Sequence, residues 1–260
     1  MKKKAVAVVM TAVMALGMVS AVSVQAGIED KTLIVGFDAE YPPYGYMDEN
    51  GEYTGFDLEL AQAVCDLEGW ELEKKPINWD SKDMELNSGS IDCIWNGFTM
   101  NGREDDYTFS EPYVDNSQVI VVADDSGIEK LTDLAGKTVG VQAASAALDL
   151  LQSEEEGGQK ELADTFGALN EFADYNTAFT ELQAGALDAL AIDVGVAKYQ
   201  LNSRGEGFKI LDETLNTEQY AIGFKKGNTE LCDIVNADLQ KLAGDGTVAE
   251  LAEKYEIADM

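Results

Sequence analysis

The chain has 260 residues, 18 Lys and Arg against 49 Asp and Glu, a formal charge of −31 and no histidine. Such a charge repels nucleic acid and anionic lipid headgroups. The missing histidine removes the usual general base, the commonest metal ligand and every Ser-His or Cys-His nucleophile.

With no P-loop or G-x-G-x-x-G fingerprint either, no cofactor and no metal are expected. Residues 1–26 read as a signal peptide: Lys2, Lys3 and Lys4 precede an apolar run, and Val24-Gln25-Ala26 has the small residues of a cleavage site. The alternative is an uncleaved anchor, since the charge-free stretch reaches Gln25 and approaches spanning length. No cysteine lies near Ala26 to carry a lipid, which favours a periplasmic or secreted product.

Residues 33–35 start an apolar strand. An acid-and-aromatic loop follows (Asp38, Glu40, Tyr41, Pro42, Pro43, Tyr44), then a turn at Asn50-Gly51 and an amphipathic helix through Leu58, Leu60, Ala61, Val64 and Cys65. Asn-Gly supplies positive φ angles, and Thr54 or Asp57 can cap the helix. The loop is either one wall of a small-molecule pocket, where open α/β sheets bind ligands, or an ordinary surface connection.

Strand and helix signals then alternate: a strand at 72–77, a helix at 82–88 ended by Gly89, and a buried strand at 91–98. An uninterrupted apolar strand at 118–123 begins a second unit. It contains a short helix at 131–135, a strand at 138–141, a helix at 145–151, a helix at 176–183 with Gly185 after it, a strand at 186–192 and a helix at 194–202. A strand at 220–224 and helices at 230–243 and 248–255 complete the chain. The alternation predicts an α/β fold of two similar lobes with mainly parallel sheets. Cys65, Cys93 and Cys232 are expected as buried free thiols, since nothing pairs as C-x-x-C.

Polar and aromatic side chains collect at four strand ends: Asp38, Glu40 and Tyr41; Trp79-Asp80; Asn96-Gly97-Phe98-Thr99 with Arg103; and Gln142 to Ser145 with Asp193. Residues 33–57, 91–113 (ending Phe-Ser-Glu-Pro-Tyr), 131–141 (Leu-Thr-Asp-Leu-Ala-Gly-Lys-Thr-Val-Gly-Val), 182–193 and 244–255, taken in order, resemble bacterial extracellular solute-binding proteins of the polar amino acid type, which feed ABC importers. That resemblance implies a two-lobed, periplasmic-binding-protein-like (type II) fold with two hinge strands near 115–118 and 216–220. Lobe one would be 27–116 and 218–260, and lobe two 117–217.

The resemblance also implies a monomer without catalysis, with a free amino acid and membrane permease subunits as partners. It assigns Arg103 and Ser145 to the ligand carboxylate, Asp193 to its ammonium, Tyr41 and Trp79 to its side chain, and Thr99 with Asn96, Gly97 and Phe98 to a polar ring. Asp38 would read the side-chain end, and the acids Asp38 and Glu40 favour a polar or cationic ligand. Asp193 serves equally as a helix cap, and a serine placed like Ser145 is more often a cap than a ligand donor. Two departures stand out: the second-lobe turn reads Ala144-Ser145-Ala146, lacking one hydroxyl, and Arg103 follows Thr99 by one residue fewer than is common. A dehydratase on the same scaffold, or a sensing domain, are the competing classes; the first needs a poised acid or base, and no signalling segment follows Met260.

Overall fold

A computed structural model describes residues 31–257, so the signal-peptide expectation for residues 1–26 lies outside the described residues. The chain starts with β1 (Thr32–Phe37), β2 (Glu40–Tyr41), β3 (Gly45–Met47), β4 (Tyr53–Thr54), α1 (Phe56–Glu68) and β5 (Glu71–Pro76). A 3-10 turn at Trp79–Ser81 leads into α2 (Lys82–Ser88), then β6 (Cys93–Ile94), β7 (Tyr107–Phe109) and the long β8 (Val114–Ala123). The second unit holds β9 (Thr138–Gln142), α3 (Ala146–Gln152), α4 (Lys160–Ala163), β10 (Ala168–Phe172), α5 (Tyr175–Gln183), β11 (Ala189–Asp193), α6 (Val194–Arg204) and β12 (Phe208–Ile210). The chain returns through β13 (Asn216–Tyr220) and β14 (Gly223–Lys225) to α7 (Thr229–Asp245) and α8 (Thr247–Lys254).

Two main sheets result, ordered β5-β1-β6-β14-β7 and β10-β9-β11-β8-β12. The expected mainly parallel pairing holds for half of each sheet only. β1 pairs parallel with β5 and β6, and β9 with β10 and β11, but β14 and β8 enter antiparallel to their neighbours. β8 carries the chain into the second sheet, and β14 takes it up in the first sheet after its return along β13. β8 starts against β13 and ends against β11 and β12, so one strand belongs to both the connection and the second sheet.

Apolar side chains fill both units. Leu33, Val35 and Phe37 of β1 pack with Leu58, Leu60 and Val64 of α1, while Ile120, Val122, Val139 and Leu148 form a separate cluster around the second sheet. α2 stops where sequence placed it, because Gly89 takes a left-handed φ of 77° and closes the last turn. All three cysteines are free and buried. No described helix is long and apolar enough to cross a membrane.

Several boundaries differ from expectation. The predicted strand at 91–98 pairs only over Cys93–Ile94, since the chain turns away through Gly97, whose φ is 54°. The predicted strand at 220–224 is two strands, β13 and β14, serving different sheets. Gly51 alone supplies a positive φ in the hairpin loop, while the Asp48 carboxylate accepts the Asn50 and Glu52 N–H groups. α1 has Gly55 at its N-cap with no side-chain cap, because Asp57 points into the core instead.

Candidate functional site

Asp57 fixes the loop after β6. It is wholly buried and accepts the Gly97 N–H at 2.5 Å and the Tyr113 hydroxyl at 2.9 Å. Burial pushes its carboxyl up to about 7, against the opposing pull of those two donors. The segment Asn96–Thr99 is thereby tied to the start of α1. A Cβ on Gly97 would meet the rings of Tyr220 and Tyr41 at 2.9 Å, so only glycine lets the backbone lie this close to both.

Arg103 follows in the next turn. Its guanidinium carbon lies 5.0 Å from the Phe98 ring centre, and its N–H groups donate to the Thr99 carbonyl at 3.4 Å and to Asp149 on α3 at 2.7 Å. Trp79 stands edge-on to Phe98 at 5.7 Å. Tyr41, at the end of β2, brings its hydroxyl to 3.3 Å from that of Tyr220.

The second sheet supplies the opposing wall. Ser145 caps α3: its Oγ accepts the Leu148 N–H at 3.2 Å and donates to the Gln142 carbonyl at 2.8 Å. Asp193 ends β11 but does not cap α6. Its Oδ1 accepts instead from Asn116 at 2.9 Å, Gln118 at 2.6 Å and the Tyr220 hydroxyl at 2.6 Å.

Tyr41, Trp79, Gly97, Thr99 and Arg103 from one wall meet Ser145 and Asp193 from the other around a cavity of about 10 Å³. Asp38, Asn96 and Phe98 lie off this cavity. Asp38 is buried and accepts from the Glu40 N–H and, across the cleft, from Gln142 at 2.6 Å; burial pushes its carboxyl up to about 6. Asn96 is buried beside Gly45 with neither amide atom partnered, and Phe98 packs beneath Arg103 among Trp79, Tyr107 and Phe109.

Other residues converge here that the sequence did not single out as contacts. Gln142 and Ala146 line the cavity. Lys82 is 5% exposed, with its ammonium 5.2 Å from the Trp79 ring and 3.1 Å from the carbonyl of Ala144 in the opposite wall. Glu218 accepts from Thr99, Asn116 and Gln118, each at 2.8 Å. Polar residues at alternating positions of β8 and β13, otherwise buried, were the available signal for Asn116, Gln118 and Glu218. Lys82 had none, since a lysine in a first helical turn normally faces water.

The profile of the bacterial extracellular solute-binding proteins, family 3, matches residues 33–257. The chain belongs to that family. Among curated relatives of this family-3 chain, the L-cystine-binding protein TcyJ of Escherichia coli K12 is 30% identical over 260 residues, covering 95% of this chain and 94% of the relative. The arginine-binding extracellular protein ArtP of Bacillus subtilis is 34% identical over 229 residues, 86% of each chain. A crystal structure of an ABC uptake transporter substrate-binding protein from Streptococcus pneumoniae with bound histidine superposes with a TM-score of 0.82 at 33% identity, over 87% of this chain and 93% of that one. The α/β architecture of the present chain is thus the type II periplasmic-binding-protein fold.

Proposed function

We propose that the chain is an exported, non-catalytic binding protein that captures one α-amino acid between its lobes and hands it to an ABC importer in the membrane. The observation that carries this reading is the placement of opposite charges around one cavity, Arg103 in one wall and Asp193 in the other, with Tyr41 and Trp79 beside them. A zwitterion has the complementary layout: a carboxylate for the guanidinium, an ammonium for the aspartate, and a side chain for the rings. The relatives named for cystine, arginine and histidine support an amino acid with a polar or cationic side chain.

A cavity of about 10 Å³ is near the lower bound for a single water and admits no amino acid. Ligand entry therefore requires the walls to part, and closure follows binding. We place the hinge at 115–118 and 216–220, because β8 and β13 are the paired strands that run between the two sheets. Residues 27–116 and 218–260 then form one lobe, 117–217 the other. Asp193 is tied by three donors in a fixed orientation, which suits a static ion pair rather than a moving proton carrier.

A thermal-shift screen of residues 27–260 against the common amino acids tests the reading. A ligand that binds only the folded state raises the melting temperature in proportion to RT ln(1 + [L]/Kd). At least one amino acid with a polar or cationic side chain is expected to give a clear shift, recovered chemically unchanged afterwards. No shift with any α-amino acid removes the proposal.

A further inference from the structure

A dense, buried polar cluster lies where β8, β11 and β13 meet. Asp193 Oδ1 and Glu218 Oε1 share both of their amide donors: Asn116 Nδ2 at 2.9 and 2.8 Å, and Gln118 Nε2 at 2.6 and 2.8 Å. Both acids are buried, 3% and 4% exposed. Among the described residues neither carboxylate touches a lysine or arginine.

Apart from the tyrosine hydroxyls, what else the cluster presents is acceptors. Asn116 Oδ1 and Gln118 Oε1 are buried without partners. Thr99 spends its single hydroxyl proton on Glu218, so towards the cavity it has only lone pairs to offer. Tyr220 donates to Asp193, while Tyr41, Tyr44 and Tyr175 surround the pair; burial holds all four phenols well above their ordinary range, so they contribute no charge. Arg103, the cation lining the same cavity, directs its guanidinium to Thr99 and Asp149 instead. Two buried carboxylates and two orphaned amide oxygens need positive charge among them.

We propose that Glu218 is a second carboxylate of the ammonium site, which holds a proton before ligand arrives and releases it to water when an amino-acid ammonium is seated beside Asp193. This rests on the amino-acid reading above and extends it to a residue outside the family resemblance. In the exchange the Glu218 O–H bond breaks, its proton passes to solvent, and the incoming ammonium, already charged, keeps its three protons and replaces that proton as the compensating cation. Glu218 and Asn116 also line an open groove of about 530 Å³ along β8 and β13, which gives the carboxyl a route to water.

The direction of the carboxyl's acidity agrees. Burial, and then the charge of Asp193, push Glu218 up to about 7, against the donors from Asn116, Gln118 and Thr99. The folded protein therefore keeps a proton that the unfolded chain has already lost. This stabilisation is fully present below the ordinary carboxylate range and disappears as pH rises through about 7.

Two measurements decide the matter. First, urea unfolding without amino acid is followed from about pH 5 to pH 8 for the wild type and Glu218→Gln; the wild type should lose stability across the window where the variant's loss is smaller. Parallel profiles would overturn the proposal, and this arm needs no ligand. Second, calorimetric titration with L-arginine or L-glutamine near pH 6, in two buffers of different ionisation enthalpy, should show about one proton released by the wild type. Identical heats in both buffers overturn the proposal while leaving amino-acid binding intact. No binding heat from either amino acid leaves the amino-acid reading to the thermal-shift screen, and the first arm still decides whether Glu218 holds its proton. If Glu218→Gln binds at all, its heats should not depend on buffer; a release unchanged from wild type also overturns the assignment.

Discussion

Lys82 crosses the cleft: its ammonium, carried on the first turn of α2, donates to the carbonyl of Ala144, 3.1 Å away at the foot of α3. Ala144 itself takes a left-handed φ of 54°, a conformation that costs a non-glycine residue about 1–2 kcal/mol. The ammonium has no carboxylate in contact among the described residues, and burial, with the nearby Arg103 charge, pulls it down to about 8.

A lysine whose folded value is depressed is carried at a cost while charged, and that cost fades as pH rises above about 8. Lys82→Met should therefore raise stability near pH 7, by on the order of 3 kcal/mol at most, and with it the melting temperature. The gain should shrink towards pH 10, where the wild-type lysine is neutral. Melting curves at both pH values check this, and a gain that is constant with pH contradicts it.

Asp57 gives the opposite dependence. Its carboxyl is raised to about 7, so its stabilising proton is present at low pH and lost as pH climbs through that value. Wild-type stability in urea should fall between about pH 4 and pH 7, Asp57 accounting for on the order of 3 kcal/mol. Asp57→Asn should flatten its share of that slope. The variant should also be less stable at about pH 5, because one amide oxygen replaces the two acceptors that hold Gly97 and Tyr113.

Gly97→Ala places a methyl group 2.9 Å from two tyrosine rings at a φ of 54°. Strain and displacement together should cost about 2–3 kcal/mol of unfolding free energy, read as a lower denaturant midpoint with an unchanged m-value. Since Tyr41 is one of the rings displaced, the ligand-induced melting shift should shrink as well. A variant with wild-type stability and wild-type shift would mean that the loop relaxes freely, against its tie to Asp57.

Arg103 and Asp149 separate two roles of one ion pair. Asp149 is largely exposed, so Asp149→Ala should change stability by less than about 1 kcal/mol and keep the amino-acid-induced shift. Arg103→Ala should lose that shift, with Kd raised about 100-fold or more, as expected when a desolvated charged partner is removed. Equal loss in both variants would assign the guanidinium to holding the lobes together.

Much of this was legible in sequence wherever local chemistry and burial agreed. α2 ended at Gly89 as expected, the apolar run at Val119–Val122 lies inside β8, and Tyr41, Trp79, Thr99, Arg103, Ser145 and Asp193 stand around one cavity as strand-end residues should. β10 was missed because it is an edge strand, half-exposed and polar at Asn170 and Glu171. Lys82, Asn116, Gln118 and Glu218 were missed for another reason. Their roles exist only once segments distant along the chain are brought together, as Thr99 and Glu218 or Lys82 and Ala144 are; the alternating polar positions of β8 and β13 signal burial but not that meeting. Asp57 looked like a helix cap, and a contact with Gly97, 40 positions along the chain, prevailed over the local option.

β8 imposes a constraint on how such a protein can be tuned. The strand leaves β13 and enters the second sheet at Gln118, so any rotation of one sheet against the other must bend the backbone that carries Asn116 and Gln118. Those two amides are the donors that orient Asp193 and Glu218. On the hinge and ammonium site proposed above, the mechanical joint and the electrostatic core of recognition would be built from the same few residues. Selection for a stiffer or looser joint would then alter affinity at once, and selection for a different ligand would find its main freedom elsewhere on the cavity wall, around Tyr41 and Trp79.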